Sequence, residues 1–236
     1  MQRKSIATIA WVALLLCACA VQPPQAPQPP QGKEQAPPGF PDDYYQRSVQ
    51  RGLTVFDIDP ATSLIVIEVR RGGSLARLGH DHAIASHSVR GYVAPNQVRA
   101  DLFVRLDQLV IDEPELRAQA GFDTQPTADA IAGTRKNMLA QLRAEEHPYA
   151  VISVDGLDTV GDDHWLHASI ALNGVIRAVR IPVQIEQDAG QLRVSGRVAL
   201  EQSQFGIEPL AILGGALTVE DRVDVRFAIR AQRAPG

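Results

Sequence analysis

Beyond residue 54, apolar residues return at every second position in one segment after another, and a period of two admits little besides a sheet. Val223, Val225, Phe227 and Ile229 alternate with Asp224, Arg226 and Ala228, and Leu102, Val104 and Leu106 with Phe103, Arg105 and Asp107. Side chains along a strand point alternately to opposite faces, so each such segment offers one face to a core and one to water. The β-branched runs 55–58 and 64–69, bounded by Asp59-Pro60 and Gly72-Gly73, read as strands, as do residues 150–154, 165–172, 179–185 and 192–200. Only residues 128–143 read as a substantial helix. Ile131, Met138, Leu139 and Leu142 fall on one side, Arg135, Lys136 and Arg143 are left to water, and Pro148 bars continuation. About eight strands and one helix predict an all-β-dominated fold, an antiparallel barrel or sandwich. No internal repeat is present.

The N-terminal residues set the expected compartment. Arg3 and Lys4 precede an apolar run from Ile6 to Leu16, which ends in Leu16-Cys17-Ala18-Cys19. This is the pattern of a secretory signal. Eleven helical residues would span roughly 16 Å, against about 30 Å of hydrocarbon, too short for an ordinary transmembrane helix. Leucine three places before a cysteine, with alanine directly before it, resembles the lipobox of bacterial lipoproteins. That resemblance implies cleavage after Ala18 and lipid on the Cys19 thiol, with residues 1–18 as signal peptide. Cys17 is the rival, but Leu16 before it is too large for the usual small-residue position. A plain cleaved signal and a soluble periplasmic protein form the alternative. Ala20 stands where aspartate would signal inner-membrane retention, so an outer-membrane lipoprotein facing the periplasm is expected.

Cys17 and Cys19 are the chain's two cysteines, both in the leader region, so the folded part must hold without a disulfide. A net charge of −4, with no basic run or aromatic–basic interleaving, argues against a nucleic-acid partner. From Ala20 to about Pro41 proline, glutamine and alanine dominate. Such a stretch favours polyproline II at about 3.1 Å per residue and reads as a spacer. Residues 42–50, with Tyr44 and Tyr45, carry no assignment from sequence. The expected organisation is a lipidated linker over residues 19–50 and one barrel domain over residues 51–236.

Three stretches in order resemble the YceI-like family of exported lipid-binding proteins. Leu172-Asn173-Gly174-Val175-Ile176-Arg177-Ala178-Val179-Arg180-Ile181-Pro182-Val183 is similar to the family's Leu-Asn-Gly hairpin and returning apolar strand, and Asn-Gly suits the positive φ of a tight hairpin. Ser203-Gln204-Phe205-Gly206-Ile207, followed by Asp221-Arg222-Val223-Asp224-Val225, is similar to the closing loop and final strand. Arg135 to Leu142, leading into His147-Pro148-Tyr149-Ala150-Val151-Ile152, is similar to the helix and the turn after it. The resemblance implies an extended, lipocalin-like antiparallel barrel holding an isoprenoid or similar amphiphilic chain. The family typically has one histidine in its first hairpin, whereas residues 78–87 here read Leu-Gly-His-Asp-His-Ala-Ile-Ala-Ser-His.

His80, His82 and His87 therefore stand out as ligand-binding candidates. His80 and His82 are placed on one face of a strand, a common start to a zinc or copper site, and His87 falls on the other face by parity. A third ligand must come from elsewhere, and no CxxC or HExxH pattern supplies one, so both are weak metal candidates and better read as lining a barrel mouth. A metal-binding or redox-associated envelope protein using this segment is the alternative function. Trp165 and His167 share a strand face and are further candidates for lining a cavity. No Gly-x-Ser-x-Gly elbow is present, and Glu145-Glu146 and Asp162-Asp163 are adjacent pairs that point apart on a strand. No catalytic residue, enzyme activity or cofactor is assigned. The expected partners are an apolar or amphiphilic small molecule and, through Cys19, a membrane.

Overall fold

A computed structural model describes residues 35–235. Twelve strands are formed: β1 (Phe56–Ile58), β2 (Leu64–Gly72), β3 (His82–Ser86), β4 (Arg90–Ala94), β5 (Arg99–Arg105), β6 (Val110–Ile111), β7 (Tyr149–Val160), β8 (Asp163–Leu172), β9 (Val175–Gln187), β10 (Gln191–Glu201), β11 (Ala211–Ile212) and β12 (Leu217–Arg233). They build a closed antiparallel barrel of eight strands with short additions. Three pairs of short strands are each one long strand interrupted. β1 and β2 both pair with β12, through Ile58 opposite Ala231 and Leu64 opposite Ala228. Residues 59–63, where Asp59-Pro60 predicts a boundary, loop out between them as a bulge. The Asp59 N–H donates to the Arg230 carbonyl at 2.8 Å, and the Arg230 N–H donates to Ser63 Oγ at 3.0 Å. In the same way β3 and β4 line up along β2 and β1, and β5 and β6 along β4 and β3.

From β7 on, each strand pairs with the next through β10, which pairs with β12. The β8–β9 connection is the two-residue hairpin expected at Asn173-Gly174. Both residues have positive φ, +53° and +75°, as that turn demands. A Cβ on Gly174 would stand 2.7 Å from His147 Nε2, so a larger residue would have to displace that imidazole as well as hold a positive φ. Asn173 is buried, and its Nδ2 donates to the Phe205 carbonyl at 3.0 Å. The Ser203 N–H and hydroxyl both donate to Asp221, at 2.7 and 2.5 Å. Motifs far apart in sequence thus meet at one end of the barrel.

Alternation resolves into apolar inside, charged outside. Ile181, Val194, Val198 and Val225 face the interior, and Arg180, Arg193, Arg197 and Arg226 lie between them on the outer wall. A membrane-spanning barrel needs the reverse, a lipid-facing apolar wall.

Among the described residues three α-helices complete the fold. α3 (Ala128–Gln141) is the helix expected from sequence, and its Ile131, Met138, Leu139 and Leu142 pack on the main apolar core. Thr127 caps it, its hydroxyl accepting the Ala130 N–H at 3.2 Å. It ends well before Pro148, because Arg143 turns to φ +48° while the Arg143 and Ala144 N–H groups bond back to the Ala140 and Leu139 carbonyls, a Schellman stop. Arg135, expected in water, donates instead to the Leu109 carbonyl at 2.7 Å and to the Asp107 carbonyl, fastening α3 to the corner between β5 and β6. α2 (Pro114–Gln119) covers the outer face of β2 and β3, where Leu116 meets Val66, Ala83 and Ala85.

Residues 42–50, within the linker by sequence, form α1 (Asp42–Gln50) packed on the outer wall at β4. Its Tyr45 is buried and donates to Asp101 Oδ2 at 2.8 Å. Burial and that carboxylate push the phenol far above its ordinary value. Neighbouring Tyr92 stacks on Tyr45, and burial pushes its phenol up to about 12. Ordered structure on the barrel therefore begins ahead of residue 51. Cys19 and the signal-like segment lie outside the described residues.

Candidate functional site

The barrel encloses a cavity of about 510 Å³, inside the range of roughly 300–1,000 Å³ usual for small-molecule sites. Its wall is made by the inward positions of nearly every strand, among them Ile67, Ile84, Leu102, Ile152, Ile170, Ile181, Val194, Val225 and Phe227. Polar groups reach it chiefly at its ends. At one end α3 lies across the barrel, presenting Thr134, Asn137, Met138 and Gln141, and His82 faces the cavity from the start of β3 beneath it. Arg99 and Gln187 are at the opposite end.

His82 is held by a buried charged cluster. Its Nδ1 lies 2.6 Å from Asp112 Oδ2. Asp112 Oδ1 accepts the Ala83 N–H at 3.0 Å and the Arg117 guanidinium at 2.6 Å. Arg117, itself buried, also donates to the carbonyls of Asp81 and Thr124. Burial alone would push the Asp112 carboxyl up, but the hydrogen bonds from His82, Arg117 and Ala83 outweigh it and hold the carboxyl below its ordinary range. A carboxylate oxygen only accepts, so His82 carries a hydrogen on Nδ1. Its Nε2 then points to Thr134 on α3, 3.3 Å from the hydroxyl. The order Asp112–His82–Thr134 orients a hydroxyl, but Thr134 stands inside α3, whose backbone N–H groups at that turn are used within the helix rather than aimed at an oxyanion. The chemistry this corner supports is recognition of a polar head beside an apolar chain.

The other sequence candidates go elsewhere. His80 precedes the strand instead of sharing a face with His82. Its ring lies 6.4 Å from that of His82, and its Nδ1 is buried without a hydrogen-bond partner among the described residues. His87 is on the outside, as parity indicated, with Nε2 2.7 Å from Glu113 Oε2. Trp165 and His167 do share a face, but it is the outer one. His167 pairs with Asp158 at 2.8 Å and Arg180 stacks over Trp165 at 4.9 Å, so neither lines the cavity. Asp81 turns back to accept the Arg71 N–H at 2.9 Å. Among the described residues no three His, Cys, Asp or Glu side chains gather as a metal site. Sequence reasoning passed over Asp112, Arg117 and Thr134. The only local signal was an aspartate directly after Val110-Ile111, where a strand face should have continued.

A closed up-and-down barrel with an apolar interior and one helix across its end defines a lipocalin-like class. Within that class the chain belongs to the YceI-like family, whose domain model matches residues 56–231. Among solved structures it is similar to Burkholderia cenocepacia BcnA, with 14% identity, a TM-score of 0.53 and coverage of 74% of this chain and 99% of that one. It also matches a Campylobacter jejuni YCEI protein at 13% identity, a TM-score of 0.40, and 58% and 73% coverage. No curated protein matches the chain.

Proposed function

We propose that this chain is a lipid-anchored envelope protein that binds an isoprenoid or similar single-chain amphiphile in its barrel, without catalytic chemistry. The observation that carries this reading is the 510 Å³ cavity, apolar along its length and polar at its ends. Each buried methylene contributes about 0.8 kcal/mol, so a ten-carbon chain supplies several kcal/mol before ordering costs. The polar head meets His82 and Thr134 under α3. The anchor is the thiol of Cys19, and the Pro/Gln-rich stretch after it is the tether, with the outer membrane, periplasmic side, as the expected location.

The test is native mass spectrometry of the full chain purified from a bacterial host, with solvent extraction of any guest and metal analysis on the same sample. One extractable amphiphile per chain is expected, absent in Ile181→Asp, which places a carboxylate on the cavity wall, and retained in Arg180→Ala on the outer wall. An empty barrel, or a guest retained in Ile181→Asp, overturns the reading. Stoichiometric zinc or copper lost on replacing His80 and His82 would favour the metal-binding alternative. Separately, Cys19→Ala should abolish fatty-acid labelling and release the chain from membranes; labelling that persists moves the anchor to Cys17 or away from this segment. Recovery in the inner membrane alone would reverse the outer-membrane assignment.

A further inference from the structure

An exposed apolar rim adjoins the cavity wall. Leu210 and Val219 line the cavity, joined by the Val219 N–H donating to the Leu210 carbonyl at 2.8 Å. The chain between them leaves the barrel as β11 and a turn, where Ile212 is 45% and Leu213 64% exposed. A second loop, between β2 and β3, stands beside it and carries Leu78, 57% exposed. The two loops are one surface. The Leu75 N–H donates to the Ala216 carbonyl at 2.7 Å, Ile212 lies directly opposite Leu217, and a Cβ on Gly79 would stand 2.9 Å from Leu217 Cδ1. Gly214 and Gly215, at φ +66° and +86°, turn the tip in a conformation that larger residues resist. Exposed Arg77 sits beside Leu78.

Clustered exposed leucine and isoleucine side chains cost solubility, and such patches mark contact with an apolar partner. We propose that this rim seats on a phospholipid bilayer, with Leu78, Ile212 and Leu213 entering the headgroup layer and Arg77 at the phosphates, so that a guest passes between membrane and cavity without crossing water. The occupant follows from two features. The apolar surface adjoins the cavity at Leu210, and exposed Arg77 precedes Leu78 in the same turn, which puts a cationic residue next to an apolar one, the combination that a phosphate-covered hydrocarbon surface complements. The proposal rests on the amphiphile-binding reading above and adds the route by which the cavity fills.

The test uses the full mature chain with phosphatidylethanolamine/phosphatidylglycerol vesicles. One sample carries Leu213→Cys labelled with an environment-sensitive fluorophore. Another carries the same label at Val160→Cys, a 68% exposed position on the β7–β8 end of the barrel. Spin-labelled lipids should quench the label at 213 and leave that at 160 largely bright. Adding Leu78→Ser and Ile212→Ser should weaken the quenching interaction at 213 by at least about tenfold, since each removes a large apolar side chain from the contact. Equal quenching at both positions, or quenching indifferent to the serines, overturns the proposal. So does a vesicle-free, concentration-dependent shift of the 213 label, which would make the rim a contact between copies. Binding of a fluorescent isoprenol without vesicles is measured in parallel and should survive the serines. Its absence in the parent chain would sink the cavity reading, and the rim would still stand or fall on the quenching.

Discussion

Two histidine–aspartate pairs of nearly equal length occupy opposite situations in this molecule. His82 and Asp112 meet at 2.6 Å at the α3 end of the barrel, with the Asp112 side chain wholly buried, and His167 and Asp158 meet at 2.8 Å on the outer wall with both side chains about half exposed. Both carboxyls are held below their ordinary range. For Asp158 the cause is the His167 hydrogen bond, with the charges of His167 and Arg180 added; for Asp112 the same kind of bonding must first overcome burial. The outer pair gives up water it can regain, so breaking it costs little. The inner group has no such recourse, because Asp112, Arg117 and the Ala83 N–H are bonded inside the protein, to one another, to His82 and to the carbonyls of Asp81 and Thr124. Equal geometry therefore implies unequal consequence, and burial decides it. His87 and Glu113 at 2.7 Å, both well exposed, belong with the outer pair.

The comparison breaks most sharply at Asp112. Asp112→Ala leaves the buried Arg117 guanidinium without its counter-charge and should cost about 3–5 kcal/mol in urea unfolding. A loss comparable to that of an exposed pair would show that water reaches the cluster. The pH dependence comes next. Because the Asp112 carboxyl titrates lower when folded, its stabilisation is fully present above the unfolded value of about 4 and is lost as pH falls below that toward the folded value. Midpoints measured from pH 7 down to 3 should drop in the parent chain and flatten in Asp112→Asn. Added salt should leave that drop largely in place, since buried charges are poorly screened.

At the polar end of the cavity, Thr134→Val removes the hydroxyl facing His82 Nε2 and should cost about 1 kcal/mol or less of stability. Affinity for an alcohol-headed chain should change more than affinity for an alkane of equal length, read by competition against one fluorescent probe. Equal changes for both would mean that this corner does not read the head. The smallest effect is expected on the outer wall. Asp158→Asn and Arg180→Ala should leave the unfolding midpoint within experimental scatter at physiological salt. A clear destabilisation there would remove the distinction between the two pairs.

Much of the barrel is legible in the chain. The alternation at Val223–Ile229, the Asn173-Gly174 hairpin and the Ile131–Leu142 helix face all appear as read, because each follows from periods and turn chemistry set by neighbouring residues. Other features are hidden for equally physical reasons. Strand parity says that Trp165 and His167 share a face but not which one; that depended on Leu157 and Ile181 standing opposite Leu166, and Ile152 opposite Ile170, on the inner side. Residues 42–50 lack a pattern strong enough to name a helix, and α1 is secured from outside by the Tyr45–Asp101 bond and packing at Val55 and Ala94. The histidine cluster drew attention for its density, yet His82 alone faces the cavity.

What the sequence by itself determined is the alphabet of the fold: strands of period two, one amphipathic helix, a tight hairpin, and a core with no disulfide to help it. Those are local matters, settled by side-chain sterics and by where water can be shed. Which faces turned inward, and which groups met, only the tertiary structure decided. Asp112 finds His82 across 30 residues and Arg117 five residues on, and Thr134 reaches the same imidazole from a different element. Such contacts depend on closing the barrel, since a buried charge is tolerable only where chain closure brings its partners to it.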